Sequence, residues 1–429
     1  VYRQIQSHLI KSLQTWRCVA LLGPRQVGKS YLLKQILQAS PGTYLSFDDP
    51  LVREEVAKDP VAYLKRYYQP GKYLFIDEAA KVPEIFSAVK ILVDHYDPNP
   101  TGICLANSGN YLLLNRIKES LAGRVHLLPI YPFSWQELEG KKAMPGLITL
   151  MEEGEIPNRL VGGSLVEIER SREERLLWGG YPAPSFATDT ESKIQWGNDY
   201  LHTYILPLVM EQFGIREVSS FERAARMLFS QNGKSLNANK VATIIGASQP
   251  TITSYAHQLI AMMVIDLLNL FVRNPIKRLA KQPKLYVNDT LLLHISLGSR
   301  FSLQAAQENS LIGSIYEAFI FNEIKKTIAN NGLTAEYFTW RTQDKAEVDV
   351  VLQTNSGILP FEIKWAKKIS RRDTTGLHSF LEDSPDIKRG YIIYPGEKIL
   401  SISEKVVAIP DWWLFGILGE DITGIAAYK

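Results

Sequence analysis

Gly23-Pro24-Arg25-Gln26-Val27-Gly28-Lys29-Ser30 stands between the apolar run Cys18-Val19-Ala20-Leu21-Leu22 and the segment Ser30 to Leu37. The run reads as a buried strand and the segment after it as an amphipathic helix, so the octapeptide joins strand to helix. Its spacing, G-x-x-x-x-G-K-S, is the Walker A pattern of a phosphate-binding loop. Glycines let successive N–H groups curl towards phosphate oxygens, and the helix N-terminus adds the positive end of its dipole. Gly23, Pro24, Arg25, Gln26, Val27, Gly28, Lys29 and Ser30 are therefore expected to bind ATP or ADP. Lys29 would reach the β- and γ-phosphates, and Ser30 Oγ would hold Mg²⁺.

Strand and helix signals alternate through residues 1–132, as a parallel α/β sheet requires. Tyr73-Leu74-Phe75-Ile76-Asp77-Glu78 has the form of a Walker B strand. Asp77 would bind Mg²⁺ through water, and Glu78 would deprotonate the attacking water. A further strand, Ile103-Cys104-Leu105-Ala106, ends in Asn107-Ser108. Asn107 is expected beside the γ-phosphate, although a strand-ending turn would read the same. Arg124 offers a positive charge to the transferring phosphoryl group, in cis or from a neighbouring subunit of a homo-oligomer. A surface arginine starting the next strand fits that position equally well.

The 429 residues suffice for two to four domains. A hydrophobic share of 45% and a charged share of 22% are those of an ordinary globular protein. No stretch reaches the about 18 uninterrupted apolar residues of a membrane span, and Leu259 to Val272 is broken by Asp266 and Asn269. The first residues lack a signal-peptide pattern. The two cysteines, Cys18 and Cys104, fall in strands that read as buried, which predicts reduced thiols and a cytoplasmic protein. The net charge of +3 says little as a total; its distribution says more.

Residues 133–215 read as a helical connector or lid, with Gly-Pro punctuation and a helix from Tyr200 to Gln212. Residues 216–298 follow a winged-helix pattern: a helix over Leu236 to Ile245, a turn at Gly246-Ala247-Ser248, and a second helix from Gln249 to Ile260. Ser248 suits its N-cap and Pro250 its first turn. Gln249, Thr251, Thr253 and Ser254 would face a DNA major groove, but none is basic. Arg273, Lys277, Arg278, Lys281 and Lys284 cluster without an acid in the adjoining wing, suited to DNA phosphates. A solvated loop or a protein-docking lid would carry the same cluster.

In the last third, Glu347 to Leu352 and Ile358 to Trp365 read as two strands joined by Gln353-Thr354-Asn355-Ser356-Gly357. Period-two alternation puts Glu362 and Lys364 on one face. Pairing the strands is expected to bring Asp349, Glu362 and Lys364 together, with Glu317 joining from an upstream helix. Asp349 and Glu362 would hold Mg²⁺ or Mn²⁺, and Lys364 would position a water or neutralise a phosphodiester transition state. A charge-paired, solvated hairpin face is the plainer reading of that spacing.

Taken together, these segments resemble one family: bacterial and archaeal AAA-type P-loop ATPases with a C-terminal domain of unknown function related to PD-(D/E)xK nucleases. The resemblance rests on residues 23–30, Phe47-Asp48-Asp49-Pro50, Phe75-Ile76-Asp77-Glu78 and Leu121-Ala122-Gly123-Arg124. It continues through Gly179-Gly180-Tyr181-Pro182, Ser248-Gln249-Pro250-Thr251, Tyr286 to Asp289, Glu317, Trp340-Arg341, Glu347-Val348-Asp349 and Glu362-Ile363-Lys364. It implies an α/β multidomain chain, ending in a restriction-endonuclease-like α/β domain over 299–429 whose catalytic residues would be Glu317, Asp349, Glu362 and Lys364. Two departures lie beside the γ-phosphate: Ala79-Ala80 follows Glu78, and Ala106-Asn107-Ser108 replaces Thr-Gly-Ser. The expectation is an ATPase whose nucleotide state controls a nuclease-like domain, or a nucleotide-dependent switch that holds a DNA or protein partner without cutting it.

Overall fold

β1 (Cys18–Leu22) is apolar along its length because both of its faces are covered, as in an all-parallel sheet. With β2 (Gly42–Ser46), β3 (Tyr73–Asp77), β4 (Ile103–Ala106) and β5 (Val125–Pro129) it forms a five-stranded sheet in the order β2-β3-β4-β1-β5. Every pairing in it is parallel. The structure is a computed structural model that describes residues 1–95, 102–154, 156, 164–213, 218–272, 282–298, 301–342, 344 and 346–417. Cys18 and Cys104 are buried free thiols on adjacent strands, as expected.

Parallel strands end at one edge, so the segments after β1, β3 and β4 gather there: the 23–30 loop, Glu78 and Asn107-Ser108. Arg124 precedes β5 and lies at the opposite edge. Five residues of strand separate the edges by about 16 Å. Arg124 is instead paired with Asp94, at 2.7 Å. Its expected role in cis is thereby excluded, and only a role in a neighbouring copy remains open to it.

The Gly179-Gly180 pair is a close-approach device. Gly180 N–H donates to Asp289 Oδ2 (2.9 Å), and its carbonyl accepts from Phe133 N–H (2.8 Å). A Cβ at Gly180 would lie 2.3 Å from the Phe133 carbonyl, and one at Gly179 2.2 Å from the Asp289 carboxylate. Three distant segments thus meet where no side chain fits. The helix expected from Tyr200 begins as a π-helical turn, Tyr200–Ile205, before continuing as Leu206–Phe213.

Helices Ala238–Ile245 and Gln249–Ala261 form where expected, separated by Gly246 at φ 78° and capped by Ser248 Oγ, which accepts from Thr251 N–H (3.2 Å). β7 (Ile265–Leu270) pairs antiparallel with β8 (Lys284–Val287), which also holds the short β6 (Lys234–Ser235). Arg273, Lys277, Arg278 and Lys281 lie outside the described residues. Lys284 is described, and it is not part of an exposed wing: it is buried in β8.

β6 to β8 belong to a larger sheet with β9 (Glu336–Arg341), β10 (Glu347–Gln353), β11 (Ile358–Ile363), β12 (Gly390–Tyr394), β13 (Leu400–Ser401) and β14 (Val406–Pro410). Its order among the described residues is β13-β14-β12-β11-β10-β9-β7-β8-β6. β7 lies parallel to β9, with Asn269 opposite Phe338 and Leu270 opposite Thr339. One sheet therefore crosses the division read at residues 298 and 299. Helix Ile312–Asn330 is buried on most of its faces and binds the segment after β5: Glu323 accepts from Trp135 N–H (2.8 Å), and Lys326 Nζ donates to the Phe133 carbonyl (3.0 Å). No helix among the described residues is long and apolar enough to cross a membrane.

Candidate functional site

The loop after β1 enters helix Lys29–Ala39 through Gly28 at φ 90°, a left-handed conformation that glycine adopts without penalty. No side chain caps that helix, so its first-turn N–H groups are left for an anion. Lys29 is buried, its Nζ donating to the carbonyls of Gly23 (2.7 Å) and Pro24 (2.8 Å). Ser30 Oγ donates to Asp77 Oδ2, which also accepts from Tyr44 OH (2.6 Å). Hydroxyl and carboxylate thus stand side by side, two hard oxygens of the kind Mg²⁺ takes.

Glu78 adopts φ 54°. Left-handed backbone at a non-glycine residue costs of order 1 kcal/mol and tends to occur at functional sites. Its Oε1 accepts from Ser108 N–H (3.1 Å) and from Ser108 Oγ. Asn107 is buried: its Oδ1 accepts from Ala80 N–H (3.1 Å) and its Nδ2 donates to the Gly109 carbonyl (3.0 Å). Asn107 fixes the two turns against each other through one Nδ2 hydrogen and its Oδ1, and an amide nitrogen carries a second hydrogen. Ser108, to which the sequence pattern assigns no role, is the residue that meets Glu78.

The connector rests on the loop. Trp196 Nε1 donates to Gln26 Oε1 (2.8 Å), Tyr200 OH to the Arg25 carbonyl (3.3 Å) and Tyr204 OH to the Ser108 carbonyl (3.3 Å). Trp196 stacks on Tyr200, with ring centroids 4.9 Å apart. No motif marks this contact; the only sequence signal is the aromatic spacing Trp196, Tyr200, Tyr204, four residues apart on one helical face.

At the other end of the chain, β10 and β11 pair as expected, with Val350 opposite Phe361. A bulge between Val348 and Val351 in the β9–β10 ladder re-aims Asp349. Its Oδ2 accepts from Ile363 N–H (2.8 Å), and Lys364 Nζ bonds Glu362 Oε1. Lys284 joins the group, with Nζ 2.8 Å from Asp349 Oδ1, 2.7 Å from Glu317 Oε1 and 2.6 Å from Glu347 Oε1. Tyr286 OH donates to the same Glu317 oxygen. Glu317, Asp349, Glu362 and Lys364 are therefore neighbours, as the sequence implied, but they are organised around a lysine assigned elsewhere.

Burial alone would pull the Lys284 ammonium down; Asp349, Glu317 and Glu347 outweigh it and hold it well above lysine's usual value. Burial and the Asp349 charge push the Glu362 and Glu317 carboxyls up. Burial acts on Asp349 in the same sense, but Lys284 and Lys364 outweigh it and keep that carboxyl low.

The family model of the AAA domain matches residues 15–139. Those residues form an AAA-type P-loop ATPase domain. Residues 169–302 and 312–414 match models of two domains of unknown function, DUF8612 and DUF4143. Two curated relatives, "Uncharacterized protein Rv2008c" of Mycobacterium tuberculosis and "Uncharacterized protein Mb2031c" of Mycobacterium bovis, are each 29% identical over 412 residues, 95% of this chain and 83% of theirs. Among solved structures, the Walker-type ATPase PABY2304 of Pyrococcus abyssi aligns with 68% of this chain and 94% of its own at 16% identity, with a TM-score of 0.43. The RuvB Holliday junction branch migration motor of Thermotoga maritima covers 63% and 89% at 16% identity, with a TM-score of 0.30.

Within the AAA domain the donors fit a nucleotide and Mg²⁺: uncapped helix N–H groups, a buried ammonium, and the Ser30–Asp77 oxygen pair. The C-terminal donors do not fit a divalent cation as arranged. Both oxygens of Asp349 are engaged, and Lys284 already supplies positive charge between the carboxylates. Among the described residues no group of three or more His, Cys, Asp or Glu is placed to hold a metal.

Burial pulls the Lys29 ammonium down to about 8, against the opposing pull of Glu78 and Asp77. A bound polyphosphate would raise it again. Nucleotide binding near pH 8 is therefore expected to take up a fraction of a proton, and affinity to fall as pH rises through that value. Well below it the amine is already charged, and the uptake should vanish. Calorimetry in buffers of different ionisation enthalpy reads this directly; no uptake at pH 8 would contradict the assignment of Lys29.

Proposed function

We propose that the chain is a Mg²⁺-dependent ATPase working as a nucleotide-dependent switch, one that holds a partner without cutting it. The contact of the Trp196-Tyr200-Tyr204 face with the phosphate loop carries this reading, because whatever engages the loop also acts on the connector. In the nucleotide-bound state Lys29 would exchange the Gly23 and Pro24 carbonyls for phosphate oxygens. Ser30 and Asp77 would hold Mg²⁺, which supplies charge neutralisation on the phosphates. Glu78 would leave Ser108 to take a proton from the attacking water. Arg124, half-exposed beside Asp94, would act only across an interface between copies.

A DNA partner is supported by basic side chains: Lys368, Arg371 and Arg372 are exposed, and Arg273, Lys277, Arg278 and Lys281 form an acid-free run in the sequence. Lys284 does not contribute to such a surface. A second reading, metal-dependent cleavage at the C-terminal cluster, is favoured by one observation: Glu362 Oε2 is buried without a hydrogen-bond partner.

The test is a paired assay of ATP turnover and of cleavage of linear, single-stranded and branched DNA, with Mg²⁺ or Mn²⁺ and with or without ATP. Slow turnover, tight nucleotide binding and intact DNA support the switch. Metal-dependent cutting that Lys364→Ala abolishes would replace it with the nuclease. Nucleotide affinity unchanged by Lys29→Ala would overturn both readings.

A further inference from the structure

We infer that the Lys284 ammonium is the resident cation of the C-terminal carboxylate site, standing where the nuclease-like residue pattern would place a divalent metal. β9 and β7 lie between β10 and β8 in the sheet, so a flat sheet would hold those strands about 14 Å apart. Lys284 nevertheless touches Asp349 and Glu347 on β10, its long side chain reaching across the two strands between them. The bulge in β10, between Val348 and Val351, includes Asp349.

Three carboxylates converge on one ammonium with oxygens at 2.6, 2.7 and 2.8 Å. The Lys284 side chain is 3% exposed, and Tyr286, two residues along the same strand, donates to Glu317. β8 thus supplies both a cation and a proton donor, aimed at the same carboxylates. An ammonium has only donors, and acidic oxygens satisfy all three of them here. A divalent ion needs six or more oxygens and would meet this fixed charge at contact distance. Lysine and metal are therefore mutually exclusive occupants. With Lys284 removed, the oxygens of Glu317, Glu347 and Asp349 that now bond its ammonium would be left without a counter-charge and free to close on Mn²⁺ or Mg²⁺. The inference stands apart from the ATPase reading, since its test uses no nucleotide.

The experiment is Mn²⁺ titration, read by electron paramagnetic resonance, of the nucleotide-free full chain carrying Asp77→Asn to silence the Walker site. With Lys284 present, no stoichiometric Mn²⁺ site is expected. Lys284→Ala and the bulkier Lys284→Met should each gain one, tighter by at least about tenfold and removed again by Asp349→Asn. Stoichiometric binding with Lys284 in place, lost on Asp349→Asn, would overturn the inference. So would folded Lys284 variants that gain no affinity. Amine acetylation of the unsubstituted chain gives a second readout that needs no altered lysine. Lys284 should stay protected with or without Mn²⁺, and Mn²⁺-induced labelling would show the metal displacing it.

Discussion

Glu78→Gln is expected to lower ATP turnover by about two to four orders of magnitude while leaving nucleotide affinity nearly unchanged. The carboxylate lies beyond the end of β3, adjacent to Asp77 yet turned to Ser108 rather than to Lys29 or Ser30. It makes no contact with the loop that would cradle phosphates, so its loss removes a base and not a binding group. Glutamine keeps the shape and the acceptor for Ser108 N–H. Single-turnover hydrolysis together with equilibrium nucleotide binding separates the two effects. A parallel loss of affinity and turnover would mean that Glu78 supports the loop instead of the chemistry.

Asp411→Asn is expected to destabilise the fold by about 3–5 kcal/mol, because it leaves a buried guanidinium without its counter-charge. Arg172 clasps Asp411 through two bonds, Nε to Oδ2 (2.6 Å) and Nη2 to Oδ1 (2.7 Å). Tyr316 OH and Trp412 N–H complete the carboxylate's partners at 2.8 and 2.7 Å. Asp411 is fully buried, so water cannot take over what asparagine lacks. The pair ties helix Leu165–Trp178 to helix Asp411–Leu414, joining the connector to the chain's last described helix. Replacing both partners by apolar residues of similar size, Arg172→Met with Asp411→Leu, should recover part of the loss and not all of it, because Tyr316 OH and Trp412 N–H then lack their acceptor. Thermal unfolding of the unsubstituted chain and the two variants checks this; a loss below about 1 kcal/mol for Asp411→Asn alone would show that the site admits water.

The Walker site was legible because its parts are local. Residues 23–30 fold as a strand-to-helix turn in any parallel sheet, and β3 delivers Asp77 and Glu78 to the same edge by topology alone. The two departures beside the γ-phosphate resolve into one arrangement, with Asn107 locking the turns and Ser108 meeting Glu78. Arg124 read equally as a catalytic charge and as a surface arginine starting the next strand, because a sequence does not say to which edge of a sheet a residue belongs; its place before β5 decides that. The C-terminal carboxylates were legible as a hairpin pattern, but their centre was not. Lys284 lies 65 residues from Asp349, in a stretch whose local composition is basic. What distinguishes it is alternation: in Lys284-Leu285-Tyr286-Val287 the two polar groups share a face of an otherwise apolar strand.

The parallel seam between β7 and β9 has a consequence for how such a protein can be recombined. Residues 169–302 and 312–414 match separate domain families, yet their strands share hydrogen bonds, the Phe271 N–H donating to the Thr339 carbonyl at 2.6 Å. Shuffled apart, each piece would carry away an open strand edge, one presenting Asn269 and Leu270, the other Phe338 and Thr339. Open edges of that kind recruit other chains. Grafting either piece onto a new host therefore means supplying a replacement strand for it, and a pair transferred together avoids the need.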